Sequence, residues 1–180
     1  MMRLELVRMI VAALVHPTRG VNAKLPGVPR DEGDDLPAAI VAVYDITRDD
    51  HVVNRSEPPK IPCLYVIDEG PVAVDGEQMT GTYRDTAETV AVTIRYVAGG
   101  HDLAKAMNAG DYTLRAAQRS VMELMEQANE ADQVRNYVEL RFLRKVTYVP
   151  ARETVGEAAV AGALILEFDL RDLAPLTNPS

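Results

Sequence analysis

The chain has 180 residues, 47% of them apolar, which supplies a full core and argues against wholesale disorder. A net charge of −8 and a pI near 4.9 exclude general binding to nucleic-acid backbones or anionic membrane surfaces, but not a protein whose acidic walls DNA slides past. One cysteine, Cys63, excludes an internal disulfide and a cysteine-based zinc cluster.

The length suits one domain over residues 1–180. In MRLELVRMIVAALVHP, Leu4, Val7, Val11 and Leu14 recur at helical spacing, widened by Ile10 and Ala13, and predict an amphipathic helix. His16-Pro17 ends it, because a residue before proline avoids the α region. Glu5 and Arg8 interrupt the apolar run, so it does not read as a signal peptide. No apolar run in the chain is long enough to span a bilayer. Residues 16–37 carry prolines at 17, 26, 29 and 37 and glycines at 20, 27 and 33, which predicts a long irregular loop. Such loops are uncommon unless functional, so this one is expected to serve as a contact arm rather than as part of the fold.

AAIVAVYDIT is apolar on both alternating faces and predicts an inner strand. RDDHVVNRSEPPK reads as a second loop. IPCLYVID predicts a strand in which Cys63 is a small buried hydrophobe. GPVAVDGEQMTGTY predicts a small hairpin turning at Asp75-Gly76. TAETVAVTIRYVAGG is the clearest strand, with Val90, Val92, Ile94 and Tyr96 alternating with Thr89, Ala91, Thr93 and Arg95. Residues 102–129 predict a helix broken near Gly110, with Asp111 capping its longer part. Its stripe is Leu114, Ala117, Val121, Leu124, Met125 and Ala128, and Met122 reads as core filler.

YVELRFLRKVTYVP predicts a strand with Val138, Leu140, Phe142, Val146 and Tyr148 on one face. Simple alternation then puts Arg141 and Lys145 on one side and Arg144 on the other. Residues 150–159 read as a connection. The last strand, roughly Val160–Arg171, has Leu164, Leu166, Phe168 and Leu170 on a face buried throughout. Its second face, Ala163 and Ile165 followed by Glu167, Asp169 and Arg171, is expected to lie under a helix only at its start. The tail LTNPS reads as frayed. Helices segregated from a mostly antiparallel sheet predict an α+β fold, with the N-terminal helix and one long central helix packed on the sheet.

The search for chemistry is negative. Neither a G-x-x-x-x-G-K-[ST] phosphate loop nor G-x-G-x-x-G occurs. Ser56, Ser120 and Ser180 lie outside any G-x-S-x-G elbow. His16, His51 and His101 lack metal-ligand spacing. The carboxylates of RDEGDD, at 30–35, lack EF-hand spacing and read as a solvated acidic loop. No catalytic residue, metal or cofactor is expected. The basic residues are ordinary surface charges or contacts to a neighbouring subunit. Arg19, Lys24 and Arg30 in the long loop, Arg141, Arg144 and Lys145 on one strand, and Arg171 at the end of the last strand are the candidate subunit or tube contacts.

The order of elements resembles the tail terminator, or tail completion, proteins of long-tailed bacteriophages, the group that includes the lambda gene U product. The likeness runs from LELVRMIVAALV through the Pro/Gly-rich loop, PAAIVAVYDI, ETVAVTIRYVA and YTLRAAQRSVMELM to GEAAVAGALILEFDLRD. The segments 47–60 and 75–86 have no counterpart in it. The resemblance implies a virion protein of the tail or neck, assembled in the host cytoplasm. It implies a hexameric ring that caps the tail tube, ends tube polymerisation and forms the joint with the head connector. Its partners would be itself, the tail tube protein and the head–tail connector protein, with DNA passing through the lumen without sequence-specific binding and with no membrane. Another neck protein, a stopper or adaptor, is the near alternative. A small ligand-binding α+β domain using the acidic loop is the distant one, and it needs a concave pocket with convergent polar groups.

Overall fold

In a computed structural model the described residues are 2–46, 59–80, 83–99, 102–130, 138–149, 153–155 and 158–175. Helix α1 (Met2–Val15) is followed by a short helix α2 (Val21–Lys24), a 3-10 turn (Leu25–Gly27), strand β1 (Ala42–Asp45) and two long strands, β2 (Cys63–Thr80) and β3 (Tyr83–Gly99). Helix α3 (Leu103–Glu130) leads to β4 (Val138–Val149), β5 (Glu153–Val155) and β6 (Ala158–Pro175). The strands form one sheet in the order β1-β2-β3-β6-β4, with β5 paired to β6. Only the β1–β2 pair is parallel. The protein is therefore α+β with a mostly antiparallel sheet, as its element pattern predicts.

Alternation on the strands builds the core. Leu64 and Val66 of β2, Val90, Val92, Ile94 and Tyr96 of β3, and Leu164, Leu166 and Phe168 of β6 are all buried and meet in register: Val66 with Ile94, Ile94 with Leu164, Val92 with Leu166. Positions two apart point to one side of a sheet, so these residues make one apolar face. Leu6, Val7, Ile10 and Leu14 of α1 and Tyr112, Leu114, Ala117 and Val121 of α3 join the same cluster. Both helices thus cover one face.

Gly162 sets the spacing between helix and sheet. It stands where β6 carries extra residues against β3, between the pairs Val97–Val160 and Arg95–Ala163, and its φ is +142°. A β-carbon there would lie 3.0 Å from Leu114 Cδ1. Glycine alone takes that backbone without strain, and it lets α3 settle onto the final strand.

Several sequence expectations are corrected. The stretch 16–37 is not wholly irregular. Val21, Leu25 and Val28 fall at helical spacing and are buried, so the prolines and glycines bound a short helical segment instead of excluding one. AAIVAVYDIT yields a four-residue strand at the sheet edge, and Val41 just before it is 59% exposed. Asp75-Gly76 is not a turn. It lies inside β2, where the register shifts between Asp75 and Gln78, and β2 and β3 stay paired as far as Thr80 with Tyr83. Glycine within a strand can mark such a bulge as readily as a turn. Helix α3 runs unbroken through a buried Gly110. Its cap is Asp102, whose Oδ1 accepts from Lys105 N at 3.0 Å, while Asp111 pairs with Arg115 at 2.8 Å. Met122 is exposed rather than core.

In β4 the register shifts at Arg141 and again at Arg144. Phe142 consequently falls opposite Asp169, and Leu143 takes the expected place opposite Phe168. Residues 150–159 include β5, which folds back on the start of β6. No described helix lies on the second face of β6. Ala163 and Ile165 sit there beside Arg95, Thr93 and Thr147 of the flanking strands. Most of the loop at 48–60, His51, Ser56, His101 and the tail at 176–180 lie outside the described residues.

Candidate functional site

The stretch 16–37 is strapped along α3. Gly20 N donates to His16 O at 2.8 Å and turns the chain back after α1. Arg19 Nη1 then donates to Gln127 Oε1, and Lys24 Nζ to Glu123 Oε2. Arg119 Nη1 donates to Gly27 O at 2.8 Å. Further on, Asp31 N donates to the Tyr112 hydroxyl at 3.2 Å, and that hydroxyl donates to Asp34 Oδ2. Lys105 meets Asp35 at 3.3 Å in an exposed pair. The strap therefore runs antiparallel to the helix, from its last turns at Gln127 to its first at Lys105. Asn22 closes the far side: its Nδ2 donates to Ile40 O at 2.9 Å, and its Oδ1 accepts from Ile40 N at 2.7 Å. The last pairing fixes the approach to β1.

These contacts shift two groups. The hydrogen bond from Lys24 holds the Glu123 carboxyl below the ordinary carboxylate range, against the opposing effect of desolvation. At Tyr112 the Asp31 N–H favours the phenolate. The hydroxyl's bond to Asp34, desolvation and the charges of Asp34 and Asp31 together outweigh it, so the phenol titrates above its usual range.

Three depressions among the described residues border the strap, one of them, of about 300 Å³, between the end of α1, Asn22 and residues 40–43. A cleft of about 190 Å³ lies between α1 and α3, with Met9, Ala12, Ala13 and Leu124 as its apolar lining and Arg19 at its edge. A wider hollow of about 570 Å³ lies at the other end, between the strap, the end of β3 and the start of α3, with Asp34, Asp35, Asp102, Lys105 and Tyr112 on its walls.

The candidate contact residues lie on separate elements. Arg19 and Lys24 are half-buried in the strap and engaged with α3, while Arg30 is exposed on it. Lys145 lies 3.6 Å from Glu167, its register partner, on the sheet face away from the helices. Arg141 and Arg144 occupy the two register shifts of β4, and Arg171 stands opposite Ala87 and Glu139. The expected sharing of one face by Arg141 and Lys145 assumed an unbroken alternation, which those shifts interrupt. The residues that tie the strap down, Asn22, Tyr112, Arg119, Glu123 and Gln127, were not singled out in the sequence. The signal that could have found the strap is the i, i+4, i+7 spacing of Val21, Leu25 and Val28.

Among the described residues no group of three or more His, Cys, Asp or Glu side chains is placed to hold a metal ion. No described helix is long and apolar enough to cross a membrane. Cys63 is fully buried in β2, between Ala42 of β1 and Val97 of β3, and burial pushes its thiol up to about 12. Such a thiol is a poor nucleophile at neutral pH. Fold and surface together define an α+β protein with one helical layer on one face of its sheet. Comparison of the chain with protein-family models and with curated proteins finds no match.

Proposed function

We propose that this chain is a structural protein of a long-tailed phage that caps the tail tube as a hexameric ring, stops tube polymerisation and forms the joint with the head connector. The order of elements supports this reading through its resemblance to tail terminators. One structural observation carries it further. Strands β2, β3 and β6 continue as paired ribbons well past Val90 and Phe168, the last helix-facing core residues whose burial is described, out to Thr80, Tyr83 and Pro175. At about 3.3 Å per residue, β6 is roughly 60 Å long. Paired strands of this length suit a protein that is completed by neighbours, and a closed ring supplies the same neighbour to every copy. On this reading the tail tube protein and the connector bind the two ends of the ring, DNA passes through an acidic lumen, and no reaction is catalysed.

The test is electron microscopy of the protein bound to purified tail tubes, beside tail assembly with the protein omitted. Sixfold rings on tube ends, and tubes of uncontrolled length without the protein, are the expected results. Tubes of normal length in its absence would overturn the proposal.

A further inference from the structure

Two features at opposite ends of the strap match each other. At one end Leu36 is 52% exposed, a large aliphatic side chain standing in water. Beside it Asp35 is 82% exposed and tied only to Lys105, itself 71% exposed. Exposed pairs of this kind are weak and easily exchanged. At the other end lies the α1–α3 cleft, apolar in its floor and about 190 Å³ in volume. An apolar cavity of about 150 Å³ is already large enough to take a benzene ring, so the cleft has room for one leucine side chain.

Arg19 at the rim of that cleft is half-buried, and its guanidinium meets Gln127 Oε1 and His16 Nε2, neither of them a carboxylate. The carboxylate of Glu123 in the same cleft is engaged by Lys24. The cleft thus offers an apolar seat and a guanidinium whose hydrogen bonds go to an amide and an imidazole, with the Lys24-bound Glu123 carboxylate acting on it only through space, and the strap tip offers an apolar side chain beside a loosely held carboxylate. Lys105 and Leu124 mark the two ends. Nineteen helical steps, roughly 28 Å, separate those two residues, so the contact is not made within this chain.

We propose that copies of this chain join head to tail, Leu36 of one seated in the α1–α3 cleft of the next and Asp35 paired with its Arg19. The inference rests on the ring reading above and supplies its contact. The interface is heterologous, so repetition either closes a ring or extends a filament.

Disulfide trapping tests it. Ala12 and Ala38 are both exposed, and Cys63 is buried, so Ala12→Cys with Ala38→Cys adds two accessible thiols and keeps Leu36 as the seated side chain. Thiols whose Cα atoms lie beyond about 7 Å cannot bridge, so cross-links can form only between copies. The double variant should give a ladder of multimers on non-reducing gels. A mixture of the two single variants should give dimers only. Arg19→Asp should raise the concentration for half-maximal cross-linking about tenfold or more, and adding Asp35→Arg should bring it back. A ladder that follows this charge reversal sustains the contact, even if microscopy shows filaments, a result that would count against the ring alone. Rings without a ladder, or a ladder indifferent to the charge reversal, overturn the contact and leave the ring standing. Neither rings nor ladder overturns both.

Discussion

Leu25 tests whether the strap belongs to the fold. Leu25→Ala removes three carbons from a side chain that is 3% exposed in the 3-10 turn on α3. At about 0.8 kcal/mol for each buried methylene, the lost transfer alone is roughly 2.4 kcal/mol. The cavity left behind adds to that, and measured Leu→Ala costs in cores span about 2–5 kcal/mol. The strap is a surface segment flanked by Pro26, Gly27 and Pro29, so it can partly settle into the gap, and the lower part of the range applies: about 2–3 kcal/mol. For a chain of this length that corresponds to a drop in melting temperature of roughly 4–12 °C. Urea melts of Leu25→Ala and of the parent give the measurement, with the midpoint moving and the m-value unchanged. Shortening Asn22–Gly33 removes Leu25 and Val28 together and should cost more. If Leu25→Ala melts within about 0.5 kcal/mol of the parent, the strap is a free arm after all, and its contacts along α3 are incidental.

Leu166 is fully buried between Val92 and Val146. Leu166→Asp combines a lost leucine with an unpaired buried carboxylate, costs several kcal/mol and should yield little folded protein by circular dichroism. Ile165→Asp, on the half-buried opposite face, should still fold. Gly162→Ala forces a β-carbon onto a positive φ and against Leu114, and should lower stability by about 1–3 kcal/mol in a denaturant melt. Glu123 is more acidic in the folded chain than in the unfolded one. The folded state therefore binds fewer protons there, and the resulting stability is present above the unfolded carboxyl pKa and lost as the pH falls through the lower folded value. Lys24→Ala should flatten that acid limb in thermal melts taken across the acid range, and an unchanged limb would show that the pair does not matter. Cys63 should react with a thiol reagent only after denaturant is added. Fast labelling of the native protein would place it at the surface.

Much of the fold was legible in the residues themselves. Helical spacing in 2–15, strict alternation in 89–96 and 164–168, and a mixed order of helices and strands define the α+β class. Each signal is local, and burial of one face is enough to produce it. Cys63 reads as buried from its apolar neighbours, and Leu166 from its place in the alternation. Bulges were not legible. One extra residue at Arg141 or Arg144 changes which side the next residue takes, and nothing in YVELRFLRKVTYVP marks where β6 will fail to match it.

The candidate site shows the same division. Composition indicated an acidic protein without catalytic spacing, and that much rests on residue types alone. The role of residues 16–37 depended on α3. Prolines and glycines argue for a loop when only near neighbours are weighed, but Val21, Leu25 and Val28 have a surface to bury against once a helix about a hundred residues later lies beside them. Gly162 likewise looks like one more small residue until Leu114 is seen against it. Local sequence determined the two long helices, the main strands and which of their faces are apolar. Only the tertiary structure decided that the long loop is a strap, that Arg19 hydrogen-bonds Gln127, and that Leu36 and the α1–α3 cleft stand toward opposite ends of one helix, because each depends on contacts between residues far apart in the chain.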